Sequence, residues 1–323
     1  MKFTNFKAAL AAGVFALASG TAAFAAETLK WAHVYEEGSS YHQVALWAAD
    51  EIKSRTDGRV EIQVFPASSL GKEVEINEGL GLGSVDIIYT GPSFVERYYG
   101  PIAISDYPFI MRDYDHWLSY RGSDLFAELS EGYHDATGNQ VLGLVYYGQR
   151  HVTSNKPILA PADMEGLKIR VPNSPLMLMF PNAVGANPTP MAFSEVYLAL
   201  QQGVVDAQEN PLPTIKFKKF YEVQSNINLT GHILNSLLTI ASDDALARVG
   251  DDEAVLREVL DAAALKASEE IRQSEEDLVS WFEEQGIAVN VVDKKPFQDA
   301  VLPMLTGDGV PYTMDHFKRL GEL

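Results

Sequence analysis

The sequence predicts an α/β protein folded as two lobes. Short β-rich runs alternate with helical patterns from Thr28 onward, which is how parallel sheets covered by helices read. The elements are more numerous than one sheet comfortably holds, yet no Gly/Ser/Pro-rich linker separates them, so two lobes must share a close seam. A late helical pattern is also long enough to lie across both halves.

Taken in order, the chain opens with a strand over Leu29 to Val34 and a helix over Ser40 to Arg55. The helix carries an apolar stripe of Val44, Trp47, Ala48 and Ile52. A turn at Asp57-Gly58 leads to a strand over Val60 to Phe65. A second helix, near Val74 to Leu82, passes through Gly83-Ser84 into a strand over Val85 to Thr90. Further strands are expected near Gln140 to Tyr147, Gly166 to Val171, Val205 to Glu209 and Ser236 to Ser242. From Asp252 to about Gln285 neither Gly nor Pro interrupts the helical pattern, and Leu256, Leu260, Ala263, Ala267, Ile271, Leu278 and Phe282 fall near one face. As one helix this stretch spans roughly 50 Å and serves as a spine; a break near Ser268 or Ser274 is the alternative. The lobes divide as residues 26–147 with about 237–270, and residues 148–236 with about 271–323.

Residues 1–25 read as a secretory signal peptide. Lys2 and Lys7 precede an apolar run from Ala8 to Ala18, and small residues end in Ala23-Phe24-Ala25, the expected cleavage point. The run is too short for a membrane span, for which about 20 residues are needed. A free protein of the bacterial periplasm, not embedded in a membrane, is expected.

Composition narrows the chemistry. Lys and Arg number 25 against 44 Asp and Glu in 323 residues, a formal charge of −19 that a phosphate backbone would repel, so nucleic-acid binding is excluded. With no Cys, disulfides, thiol catalysis and Cys-bound metals are excluded too. The chain contains no HExxH, GxSxG, Walker or EF-hand motif. Ser69 to Lys72 fits SxxK without its companion motifs, and GLGLGS (Gly79 to Ser84) neither completes GxGxxG nor follows a strand. The seven His are scattered without ligand spacing, so no metal, cofactor or enzymatic activity is expected. His33 is singled out because it ends the first strand, where α/β folds place their crevices.

Two arginines stand out in so acidic a chain. Arg170 alternates with Leu167, Ile169 and Val171, which on pattern alone makes it a solvated cation like Lys168. Pro172-Asn173 ends the strand just beyond it, where a guanidinium can instead turn into a crevice as a planar fork for a carboxylate. Arg150, in GQRHVTSN at the lobe crossing, offers a second fork.

The same stretch resembles the periplasmic solute-binding proteins of TRAP transporters, the DctP-like family. The resemblance rests on GQRHVTSNKPI (Gly148 to Ile158), DMEGLKIRVPNSP (Asp163 to Pro175), VGANPTPMAFSEVYLALQQGVVDAQENPL (Val184 to Leu212) and FYEV (Phe220 to Val223). ASSLG (Ala67 to Gly71), LGSVDI (Leu82 to Ile87) and YPFIMRDYDH (Tyr107 to His116) extend it over nearly the whole chain. It implies a two-lobed periplasmic-binding-protein fold of type II character, with two mixed sheets, hinge strands and a spine helix. It further implies that Arg170 forms the main salt bridge to a ligand carboxylate, with Arg150 and Asn210 as further anchors and Phe193 packed on the ligand. Plain core packing is the alternative for Phe193, and for Tyr197 nearby. Selectivity is expected from His33, Tyr89, Thr90, Tyr147 and Asn173. The sialic-acid branch carries a Glu where this chain has Gly91-Pro92 and a first-strand Asn that is replaced near Val34. A sugar acid such as a uronate or aldonate is therefore favoured, with C4-dicarboxylates and small aromatic acids open. The expected partners are the organic acid and the membrane subunits of an ion-gradient-driven permease, with the protein acting as a monomer. A ligand-presenting protein for a sensor is the rival reading.

Overall fold

The computed structural model describes residues 26–306 and 309–323, so the expected leader lies outside the described residues. Its strands are β1 (Glu27–Ala32), β2 (Val60–Phe65), β3 (Ile87–Thr90), β4 (Asn139–Ser154), β5 (Lys168–Val171), β6 (Asn187–Pro190), β7 (Ala207–Pro211), β8 (Asn226–Ser242) and β9 (Ala288–Asn290). Among the described residues they run in the order β2-β1-β3-β8-β4-β7-β5-β6, with β9 beside β8.

At one end β1 lies parallel between β2 and β3; at the other β5 lies parallel between β6 and β7. These are the βαβ units that alternation requires, one set in each lobe. Between them β4 and β8 pair antiparallel along almost their whole length and pass through both lobes. The two mixed sheets are thus joined into a single ladder. β3 takes the Leu238–Ala241 end of β8, and β7 takes the Arg150–Ser154 end of β4.

Both long strands exceed their sequence expectation. β4 continues from Tyr147 to Ser154, and β8 begins at Asn226, not Ser236. The added segments hold Arg150, His151, Thr153, Asn228, Thr230, His232 and Asn235, all buried. Polar residues of this kind carry no apolar strand signature, yet here they form the interior of the crossing. Register shifts at Val141/Gly143, Tyr146/Gly148 and Arg150/Val152 bend the pair where it crosses.

Helix α1 (Ser40–Arg55) begins on the Ser39 cap, whose Oγ accepts from His42 N. It buries Val44, Ala45, Ala48 and Ile52 as a stripe, but Trp47 is 37% exposed, with the Lys266 ammonium 5.9 Å from its ring. The expectation of a buried Trp47 is corrected: Ala45 and Ala48, not the indole, meet the sheet. Helix α2 (Glu73–Gly81) delivers its first turn to the space between the lobes.

The spine is one unbroken helix, Glu253–Glu284. Ser268 does not break it, because its Oγ donates to Ala264 O while accepting from Tyr146 N at 2.8 Å, which pins the helix to β4. Farther along, Glu275 accepts from Gln149 N (2.7 Å) and from the Tyr146 hydroxyl (2.8 Å). Gly148, at φ +115°, turns that backbone toward it; a Cβ there would stand 2.8 Å from Glu275 Oε1. Burial pushes the Glu275 carboxyl up to about 7.

The helix seats so closely that a Cβ on Gly143 would fall 2.8 Å from Ala264 Cβ and 3.3 Å from Leu260 O, neither of which is a movable side-chain tip. Gly143→Val should therefore destabilise by about 2 kcal/mol through overpacking. Thermal melting followed by circular dichroism should show a midpoint several degrees lower; an unchanged midpoint would mean that the spine is not packed on β4 in this way.

Candidate functional site

Where the strand ends of the two lobes face each other across the crossing, they enclose a cavity of about 240 Å³. Its wall draws Val34 and Tyr35 from beyond β1, Glu73 from α2, Gly91 and Ser93 from beyond β3, Tyr147 and Arg150 from β4, Arg170 from β5, and Asn210 from β7. This is the position that the topology of open α/β sheets reserves for ligands.

Arg150 and Arg170 are both buried there, and they differ in what holds them. Arg150 sends Nε and Nη2 (2.6 Å) to the two carboxylate oxygens of Glu209, a second Nη2 bond to Glu209 O (2.8 Å), and Nη1 to Asn235 Oδ1 (2.8 Å). A guanidinium has five N–H groups, so one remains. Burial works against the Arg150 charge, but the charge and hydrogen bonds of Glu209 outweigh it and hold the proton more tightly than usual. Burial likewise opposes ionisation of Glu209; Arg150 and His232 together bring it well below the ordinary carboxylate range. His232 closes the cluster, with Nε2 3.1 Å from Glu209 Oε2 and its ring stacked on Phe180 at 4.0 Å.

Arg170 has no such carboxylate among the described residues. Its Nε and Nη2 donate to Met191 O (3.0 and 2.7 Å), which leaves three N–H groups beside the cavity that the side chain lines. Burial pulls it down to about 10, opposed by Glu209 and reinforced by the like charge of Arg150. A desolvated cation with a free fork calls for an anion of matching planar geometry.

Neutral groups complete the floor. Asn210 donates to Gln208 Oε1 (2.6 Å) and accepts weakly from the Tyr147 hydroxyl (3.4 Å), which in turn accepts from Thr214 (3.0 Å). Phe193 lies along the wall with Lys218 Nζ 5.1 Å from its ring centre, and Asn173 sits exposed at the rim. Tyr197 is turned away from the cavity and bonds Glu222.

The structure thus brings Arg150, Arg170, Asn210, Phe193, Tyr147 and Asn173 to one cavity. It places three other expected residues behind the wall. His33 is buried with Nδ1 accepting from Tyr35 N and Nε2 3.2 Å from His42 Nδ1; burial and His42 push it down to about 3, so it stays neutral. Tyr89 is buried edge-on against Trp31. The Thr90 hydroxyl donates to Glu73 Oε1 (3.1 Å) and accepts from Asn77 Nδ2 (2.8 Å), so it supports the wall rather than forming it.

Four residues were not anticipated from the sequence. Glu209 stands beside Asn210 in the very string that singled out the latter. Glu73 opens α2 and looks like an ordinary solvated first-turn acid. Asn235 links Arg150 to Asp106, whose Oδ1 it reaches at 2.7 Å and whose carboxyl burial pushes up to about 7. No local pattern marked any of these as buried.

Across the mouth, Lys72, which precedes α2, pairs with Glu195 (2.7 Å), Glu36 pairs with Lys218, and the Ser174 hydroxyl donates to Ser93 O (2.8 Å). Each contact joins one lobe to the other. Among the described residues no group of three or more His, Cys, Asp or Glu could hold a metal, and no helix is long and apolar enough to cross a membrane.

Comparison with known proteins agrees with this arrangement. A solute-binding protein of Roseobacter denitrificans is 35% identical over 308 residues, covering 93% of this chain and 94% of that one. Its crystal structure with bound L-galactonate superposes with a TM-score of 0.85 at 30% identity over 92% of this chain and 99% of that one. The sialic acid-binding periplasmic protein of Vibrio cholerae is 34% identical over 292 residues, 90% of this chain and 91% of the relative. A TRAP periplasmic solute-binding protein of Polaromonas sp. JS666 bound to D-erythronate superposes with a TM-score of 0.86 at 30% identity, covering 91% and 98% of the two chains. The profile of the bacterial extracellular solute-binding proteins, family 7, matches residues 31–307, and the chain belongs to that family.

Proposed function

We propose that the protein captures a hydroxylated monocarboxylate, a sugar acid of the aldonate or uronate kind, by forming a salt bridge between its carboxylate and Arg170. It passes the acid to the membrane subunits of a TRAP-type permease that an ion gradient drives. It works as a monomer in the periplasm, after a leader ending at Ala25 is removed.

One observation carries the reading: of two buried guanidinium groups in the cavity, Glu209 already satisfies one, and Arg170 keeps three N–H groups without a partner among the described residues. One unmatched cation suits one carboxylate. Asn210 and Arg150 each retain an N–H for the same group, and Phe193 supplies an apolar face. The L-galactonate and D-erythronate held by two structural relatives are polyhydroxy monocarboxylates, which supports the class. Val34 and Gly91 line the cavity and bring no side-chain amide or carboxylate at the two points where the sialic-acid branch differs, which argues against sialic acid.

The working cycle is hinge closure without bond chemistry. Lobe closure over the acid removes water from the ion pair and strengthens it.

Isothermal titration with a panel of aldonates and uronates should show Arg170→Ala weakening the tightest acid by about 30-fold to several thousand-fold, equivalent to about 2–5 kcal/mol. Arg170→Lys should also bind poorly, since a point charge does not reproduce the fork. Unchanged affinity in Arg170→Ala would remove the anchor.

Glu209→Ala strands the Arg150 charge and should lower unfolding stability by about 3–5 kcal/mol in urea titrations. The pH dependence has a definite sign. The folded value of Glu209 lies below its ordinary 4.5, so the stability it lends is complete above 4.5 and fades as pH falls through the folded value. The stability gap between wild type and Glu209→Gln should therefore shrink from pH 5 to pH 3; a constant gap would contradict the pairing.

A further inference from the structure

Glu73 is an acid in the wall of a cavity built for acids. It stands at the start of α2, across from the anchoring arginines. Its Oε1 accepts from Gly91 N (2.9 Å) and Thr90 Oγ1 (3.1 Å), and Asn77, one turn along α2, fixes Thr90 in turn (2.8 Å). Two hydrogen bonds thus hold the carboxyl at the wall. Among the described residues Oε2 has no hydrogen-bond partner, and it is the oxygen left for whatever enters the cavity.

We infer that Glu73 is a specificity residue that admits acids carrying hydroxyl groups away from the anchored carboxylate and rejects acids carrying a second carboxylate there. The inference rests on the reading that one carboxylate docks on Arg170. The charges meeting in the cavity then decide selectivity. Arg150 is matched by Glu209, Arg170 by the ligand, and Lys72 and Lys218 by Glu195 and Glu36 at the mouth, so among the described residues at the cavity no cation remains for a second anion. A distal hydroxyl donates to Oε2, whereas a distal carboxylate meets a like charge in a desolvated space.

The gate depends on the Glu73 proton. The groups facing it are Arg170 from β5, Arg150 and Tyr147 from β4, and Tyr35 from beyond β1, with Lys72 and Glu75 beside it at the start of its own helix. Burial pushes its carboxyl up to about 7, against the hydrogen bonds from Gly91 and Thr90 and the attraction of both arginines. Once protonated, Glu73 donates a hydrogen bond instead of repelling. Discrimination against a diacid therefore weakens as pH falls through neutrality, while the ligand carboxylates, which titrate near 4, stay ionised. A ligand carboxylate on Arg170 offsets one of the charges that favour ionised Glu73, so the transition in the complex moves upward.

The test compares six-carbon aldonates with the aldarates of the same skeleton, gluconate with glucarate and galactonate with galactarate, by titration calorimetry from pH 5.5 to 9. In each pair a terminal hydroxymethyl group is exchanged for a carboxylate. Wild type should prefer the aldonate at pH 9, with the preference falling as pH drops. Glu73→Gln, an isosteric change, should raise the aldarate-to-aldonate affinity ratio about tenfold or more at pH 9 and make it independent of pH. The same ratio in wild type and Glu73→Gln, or an aldarate preferred by wild type at pH 9, would overturn the role of Glu73 while leaving the Arg170 anchor standing. Should Glu73→Gln not fold, the wild-type pH series decides alone, and a flat ratio overturns the inference. If no aldonate, aldarate or uronate binds, or if those that bind do so to Arg170→Ala as tightly as to wild type, the sugar-acid reading itself falls and takes this one with it.

Discussion

Two guanidinium groups buried beside one cavity, with Glu209 bonded to only one of them, set the terms for the rest of the molecule. Placing such charges out of water is tolerable only if each is matched, and Glu209 matches Arg150 in a fork-to-fork pair. Asn235, Asp106 and His232 surround that pair and tie it to the cores of both lobes. The mismatch is thereby concentrated on Arg170, whose position is set by β5 and by Met191 O. The proposed affinity for a carboxylate rests on this electrostatic imbalance.

The crossing that carries these charges is also the part that must bend. Three register shifts interrupt the β4–β8 pairing there, and Gly148 adopts a backbone angle that other residues rarely reach. Against this stretch lies an unbroken helix fastened at two points, Ser268 to Tyr146 N and Glu275 to Gln149 N. In the proposed cycle, an irregular strand pair backed by a continuous helix suits opening and closing about the crossing. The ion pairs Lys72–Glu195 and Glu36–Lys218 lie at the far side of the cleft, where small rotations about the crossing produce the largest displacement. They are partly solvated, so they bias the closed form without locking it.

Much of this was legible in the residues. Periodicity located α1, β2 and the spine helix, because in each case apolar spacing and end signals agree. It stopped short on β4 and β8, whose second halves are buried but polar; strand reading from apolar alternation has nothing to follow when hydrogen bonds replace apolar contacts in the interior. Trp47 misled because it falls on the helical spacing of the stripe, whereas the residues of α1 that end up buried beside it are the alanines Ala45 and Ala48. The strand-end rule led to the correct region for His33, Tyr89 and Thr90 but does not say which side chain crosses into the cleft, and all three face their own lobe. Glu73 and Glu209 were invisible for a different reason: a buried carboxylate and a solvated one have the same one-letter code, and only the partners brought in from distant strands distinguish them.

The shared ladder has a consequence for how the molecule comes to be. β3 has β1 on one side and the Leu238–Ala241 segment of β8 on the other, so the amino-terminal lobe lacks a central strand until the chain is made through Ala241. Loop closure over so long a separation is slow, and the amino-terminal lobe has no complete sheet of its own to fold around early. The amino-terminal lobe is therefore not an autonomous folding unit: its sheet closes only after strands of the carboxy-terminal lobe have been made.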